Sequence, residues 1–183
     1  QAYGSPPTTG YALDPVNTAT GNFLEPEADL RFSGGCSTLA FTRMYNSLDP
    51  GAGAFGPGWS SWTESGLRFT PEHAEWRMTD GRAIHFPRQG PGWGRATTEA
   101  FWLAGSDEGH VVTDNRGGCW EFSSGGDLVH HDRGAGTGID LTWQGGRLVR
   151  IDHERGRWLE LTWNDDPDAA RVLALVASDG RRV

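Results

Sequence analysis

The stretch WQGGRLVRIDHERGRWLELTW (residues 143–163) holds two alternating apolar runs, residues 148–151 and 159–163, split by a turn rich in charge and glycine. Alternation with a period of two marks a half-buried strand, so the stretch reads as a β-hairpin. Displaced by 20 positions, Leu128 falls on Leu148, Val129 on Val149, Asp132 on Asp152 and Gly136 on Gly156. The returning strand follows: Ile139 on Leu159, Leu141 on Leu161, Thr142-Trp143 on Thr162-Trp163. Displaced by 24, Arg147 falls on Arg171, Leu148 on Val172, Val149 on Leu173, Ile151 on Leu175, Gly156 on Gly180 and Arg157 on Arg181. The four extra positions fit an insertion in NDDPDAA, residues 164–170.

These are three copies of one strand–turn–strand unit. A lone hairpin is marginal in water, because both edges carry unpaired backbone groups and only one face is buried. A neighbouring hairpin pairs the edge and extends the apolar face. Ile139, Leu141 and Trp143, or Leu159, Leu161 and Trp163, should line one face. Asp140 and Thr142, or Glu160 and Thr162, should line the other. At the 24-position offset Val183 matches Leu159, the first apolar residue of a returning strand. The expectation is that the chain is the N-terminal portion of a longer repeat array, or a trimmed piece of one.

Upstream, the 183 residues carry 27 Gly, 10 Pro and 9 Trp, a composition of frequent turns and large aromatic payload. Residues 1–13 read as an extended arm or linker. Asp14-Pro15 starts a turn, Thr20-Gly21-Asn22 suggests another, and residues 30–32 open a strand. STLAFTRMYNS (residues 37–47) alternates, with Leu39, Phe41, Arg43 and Tyr45 on one face. LDPGAGAFGPGWSSW (residues 48–62) is a Gly/Pro-dense loop leading into Trp59 and Trp62. Short runs follow at residues 67–69, 76–78, 83–86, 101–103, 111–113 and 120–122, mostly separated by turn residues. A short helix at residues 99–103 is the one helical alternative.

The formal net charge of −8, with 16 basic residues that are all arginine and dispersed, argues against a nucleic-acid groove or docking to an anionic membrane. No apolar run approaches a membrane span. The first residues show no basic segment followed by an apolar one, hence no signal peptide within this segment. Cys36 and Cys119 are the only cysteines. Their pairing is open, and paired-cysteine zinc chemistry is excluded by the count.

Five segments in order, DPVNTATGNFLEPEADLRF, LAFTRMYNS, FGPGWSSW, DGRAIHF and GRLVRIDHERGRWLELTW, resemble the opening of Rhs/YD-repeat proteins. The likeness runs from about Asp14 to Val183. In that family an N-terminal domain of unassigned function precedes tandem units ending in Tyr-Asp; here Trp143-Gln144 and Trp163-Asn164 stand in those places. The resemblance implies an all-β fold: antiparallel hairpin repeats forming a curled sheet, part of a larger hollow YD-repeat shell. It divides the chain into a β domain at 14–125 and YD-like repeats at 126–183. The family's shells enclose a C-terminal, often toxic, cargo of polymorphic-toxin systems, and teneurins use a related shell in adhesion. The implied partners are the rest of the same polypeptide and its cargo. The implied location is secreted or cell-surface, or cytoplasmic before export. The family's self-cleaving segment lies beyond this chain, so no catalytic residue carries over.

Residue chemistry adds little to that. His130 and His131 point to opposite faces of a strand, and His73, His85, His110 and His153 have no partner by spacing, so no metal site and no cofactor are expected. GWSSW lacks the G-x-S-x-G of a nucleophile elbow. The acid pairs Glu25/Glu27 and Asp165/Asp166 suggest glycoside hydrolysis only weakly. Asp49-Pro50 and Asp166-Pro167 read as turn starts. The expected architectural residues are Asp14, Pro15, Gly21, Phe41, Tyr45, Gly58, Trp59, Trp143 and Trp163. Trp59, Trp62, Trp93 and Trp102 are candidates for stacking on a sugar, which frames the rival readings: a carbohydrate-binding or adhesion module, then a glycosidase. Glycan binding abolished by Trp59→Ala or Trp62→Ala with the fold kept would favour the first rival.

Overall fold

Glycine and proline cut the chain into runs too short for helices, and the runs pair as strands. The computed structural model describes residues 11–12, 16–17, 21–32, 39–79, 81–105, 108–134 and 137–183. The expected positions Asp14, Pro15, Cys36 and Gly136 lie outside the described residues. The elements are β1 (Tyr11–Ala12), β2 (Val16–Asn17), β3 (Leu24–Arg31), β4 (Ala40–Asn46), β5 (Ala52–Gly53), β6 (Gly56–Pro57), β7 (Trp59–Ser61), β8 (Gly66–Phe69), β9 (His73–Arg77) and β10 (Ala83–Gln89). Next come β11 (Gly92–Trp93), β12 (Phe101–Gly105), β13 (Gly109–Asp114), β14 (Cys119–Ser123) and β15 (Leu128–Asp132). The last are β16 (Ile139–Gln144), β17 (Arg147–His153), β18 (Trp158–Trp163) and β19 (Val172–Ala177). Among the described residues the sole helical element is a 3-10 turn at Trp62–Glu64. The chain is all-β and antiparallel, and its long sheet curls.

Two expectations need correction. The strand expected to open at residue 30 opens at Leu24, as β3. Its Pro26 masked the pattern, yet β3 is an edge strand of the sheet β3-β4-β7, where a missing N–H is tolerated. Residues 101–105 form a strand rather than a helical turn, because Phe101–Gly105 pairs with residues 110–114 of β13.

Strands β8 to β11 make a second sheet, and β12 to β19 form an eight-stranded meander in sequence order. That meander begins at Phe101 and runs through position 125 without a break. Its repeat is literal in the hydrogen-bond register. β16–β17 pairs Ile139 with His153, Leu141 with Ile151 and Trp143 with Leu148. β18–β19 pairs Leu159 with Ala177, Leu161 with Leu175 and Trp163 with Val172, the same ladder displaced by 20 and 24 positions. Both ladders slip by one residue at the Thr-Trp step, leaving Val149 and Leu173 as the extra residues of β-bulges. β14–β15 slips in the same way and leaves out Val129. A bulge re-aims the strand and sharpens its twist, so three at one repeat position bend the sheet in one sense. It also lets Leu148 and Ile151, three apart, both be buried.

The two turns differ. Gln144–Arg147 is closed by Gly145 and Gly146, both at positive φ (57° and 74°), the geometry of a two-residue hairpin loop. The equivalent Asn164 and Arg171 are closed by a backbone bond of 2.9 Å and an Asn164 side-chain bond of 2.8 Å across a longer loop. The ladder on either side is unchanged.

The core lies between the curled sheet and the β8–β11 sheet. Trp76, 1% exposed, packs edge-on to Phe101 and Phe122 and tilted against Trp120. Burying each such large side chain contributes roughly 1.5–3 kcal/mol. The two sheets also touch backbone to backbone: the Leu67 N–H donates to the Gly126 carbonyl at 2.9 Å. Gly126 has φ +96°, and a Cβ there would overlap the Leu67 carbonyl oxygen, so only glycine permits this approach.

Candidate functional site

The repeat seam is the best-built feature. The Trp143 indole N–H donates to the Leu128 carbonyl at 2.8 Å, and the Trp163 indole N–H donates to the Leu148 carbonyl at 2.8 Å. Each ring therefore satisfies a carbonyl of a nearly fully buried leucine at the bulge, where the ladder is broken. On the solvent face, His130 Nδ1 lies 2.7 Å from Asp140, and Arg150 donates to Glu160 at 2.6 Å, again one repeat apart. Ile139, Leu141 and Trp143 pack on the core side with Leu159, Leu161 and Trp163, while Asp140, Thr142, Glu160 and Thr162 are exposed. Val183 exchanges two backbone bonds with Leu175, of 2.8 and 3.0 Å, as its repeat equivalent Leu159 pairs with Ile151.

The expected architectural residues of the N-terminal part converge. Gly21 sits at φ +69°. Phe41 is fully buried. Tyr45 pairs in register with Trp59, with ring centroids 5.3 Å apart. Gly58 has φ +75°, and a Cβ there would lie 2.8 Å from the Tyr45 ring. The geometry demands glycine at that position.

The four candidate stacking tryptophans do not share a face. Arg43, which donates two bonds to the Asp29 carboxylate, lies 4.7 Å over the Trp59 ring. Trp62 packs on the core and donates to the Ala40 carbonyl at 3.2 Å. Arg88 lies 4.5 Å over Trp93, and Arg95 lies 5.6 Å over Trp102, the exposed one. Three of the four rings already hold a guanidinium.

A cleft of about 420 Å³ lies along Asp49, Trp59, Ser60, Glu64, Arg77 and Gly126. Its carboxylates are engaged structurally. Asp49 accepts from Arg77 at 2.6 Å and from the Gly51 N–H at 2.8 Å. Glu64 accepts from the backbone N–H groups of Ala54 (2.8 Å) and Ser61 (2.9 Å), closing a capping box on the 3-10 turn. Burial pushes its carboxyl above the ordinary range against the pull of those two bonds. Asp166 caps its own loop by accepting from Asp168 and Ala169. Cys119 is a half-buried thiol whose pKa burial raises, an unreactive setting.

His130 and His131 do diverge: His130 meets Asp140, whereas His131 stacks on Trp120 with its Nε2 buried and without a hydrogen-bond partner. Burial lowers the His131 pKa to about 4, so the ring is neutral. The expectation that His73 and His85 lack partners is overturned. The β9–β10 register places His85 opposite Glu75, and His73 shares that face two residues away. The ligand atoms of His73, Glu75 and His85 lie within 4.8 Å of one another. Spacing along the chain missed this, because the pairing of β9 with β10, not a motif, assembles the group.

Residues 13–86 match the family model of DUF6531, a domain of unknown function. No curated protein matches the chain. Among the described residues no helix is long and apolar enough to cross a membrane, a statement about helices alone.

Proposed function

We infer that this chain forms part of the wall of an Rhs/YD-repeat shell, in which hairpins added in register build a curled sheet around cargo borne by the same polypeptide. The observation that carries this reading is the ladder repeated at 20 and 24 positions with its bulge and its indole-to-carbonyl bond in the same place. Repetition of register, not merely of composition, is what lets a sheet extend by identical steps. The Leu175–Val183 pairing takes the next step of that register. The DUF6531 match at residues 13–86 sits ahead of the repeats, where the resemblance puts a domain of unassigned function.

In this reading residues 14–125 found the wall and residues 126–183 begin its repeats. The function is containment, performed by paired edges and a closed backbone rather than by a reacting side chain, and this segment has no catalytic role. The test is electron microscopy of the polypeptide that carries this segment, combined with limited proteolysis. A hollow β-walled particle whose interior domain resists protease longer than the same domain free in solution supports the reading. A solid particle, or an interior domain digested at the free rate, overturns it.

A further inference from the structure

We propose that His73, Glu75 and His85 form a binding site for one divalent ion of the zinc class on the outer face of the β8–β11 sheet. The three side chains stand opposite the core face of the same hairpin, where Ala74, Trp76, Ile84 and Phe86 are buried. The antiparallel register fixes their backbones, so forming the site requires only side-chain rotation. Two imidazoles and one carboxylate are a zinc donor set, and bonds of about 2.0–2.2 Å draw ligand atoms to about 3.3–3.5 Å in a tetrahedron. The present spread, within 4.8 Å, is a rotamer adjustment away from that.

Two further observations point to a ligand. The first is orientation. Thr70 Oγ1 donates to the His73 carbonyl at 2.9 Å and lies 3.1 Å from His73 Nδ1. When its one proton goes to the carbonyl, the hydroxyl accepts the Nδ1–H beside the His73 backbone N–H it already accepts at 3.0 Å, and Nε2 is left as a lone-pair donor. A hydrogen bond that sets the tautomer in this way is the usual support of a metal-bound histidine. The second is unused capacity. Among the described residues, no hydrogen bond or ion pair engages the Glu75 carboxylate or the His85 ring nitrogens, although Arg68 lies directly opposite Glu75 on β8. His73 and His85 instead meet edge to face at 5.0 Å. Three protein ligands leave the fourth position to water or to a donor from outside the chain.

The experiment titrates ZnCl2 into the untagged, chelator-stripped full chain by calorimetry, with Co2+ absorption as a readout of geometry. One saturable site is expected, with tetrahedral Co2+ bands. His73→Ala and His85→Ala should each weaken binding at least tenfold. Thr70→Val removes the orienting hydroxyl together with its two bonds to the His73 backbone and, with the native circular dichroism kept, should weaken it about 10–100-fold. Glu75→Gln is the variant least able to disturb folding and should also weaken Zn2+ binding, while His130→Ala should leave it unchanged. The proposal is overturned by no saturable binding to the wild-type chain, or by wild-type affinity in Glu75→Gln together with either histidine variant that keeps the native circular dichroism.

Discussion

The N-terminal sheets and the eight-stranded meander solve the same problem, fixing strand register, by different means. In the meander the device is local and repeated: a bulge, a tryptophan that caps the broken ladder, and a cross-strand charge pair on the outside. In the N-terminal sheets every fixing contact is used once: Arg43 on Asp29, Arg77 on Asp49, Glu64 on two backbone N–H groups. The difference teaches that a repeated device allows a sheet to grow, whereas single-use contacts close a unit off.

The largest test of that contrast is Trp76→Ala. Trp76 belongs to the N-terminal sheets but packs against Phe101, Trp120 and Phe122 of the meander. Its loss should cost about 3–5 kcal/mol, and urea unfolding should show both regions melting together. Two separate transitions would mean that the regions are independent. Gly126→Ala acts only on their junction, through strain at φ +96° and overlap with the Leu67 carbonyl, and should cost about 1–3 kcal/mol. Hydrogen exchange should then speed up at the Leu67 amide while the β16–β17 amides keep their protection.

Trp143→Phe and Trp163→Phe each strand a buried leucine carbonyl and should each cost about 1–2 kcal/mol. Matching costs would establish that the two copies are energetically equivalent, and a large disparity would break the claim of one repeated device. The smallest effect concerns His131. Its pKa is lowered on folding to about 4, chiefly by burial, so the folded state resists protonation that the unfolded chain accepts. Stability should be full above about pH 6.5 and decline as the pH falls toward 4, and His131→Phe should flatten that decline in pH-dependent unfolding.

Much of the meander was legible because its information is local. Leu128, Leu148 and Val172 could be aligned by eye, and the inward and outward alternation of residues 139–143 and 159–163 followed from the period alone. The bulges were not legible, since an extra residue at Val129, Val149 or Leu173 leaves no mark in a pattern of apolar residues. In the N-terminal part, Tyr45, Gly58 and Trp59 were named separately, and only the β4–β7 register shows that they touch. His73, Glu75 and His85 were invisible for the same reason: proximity there is created by the hairpin between β9 and β10, and nothing in H-x-E followed ten residues later by H announces it.

The loop at residues 164–171 replaces a two-glycine turn without disturbing a single rung on either side. Length at the rim of this sheet is thus uncoupled from alignment along its wall. A ribbon built this way accommodates additions at its margin as freely as a fence accommodates different finials, and novelty in such a protein would gather along that margin while the panels stay the same.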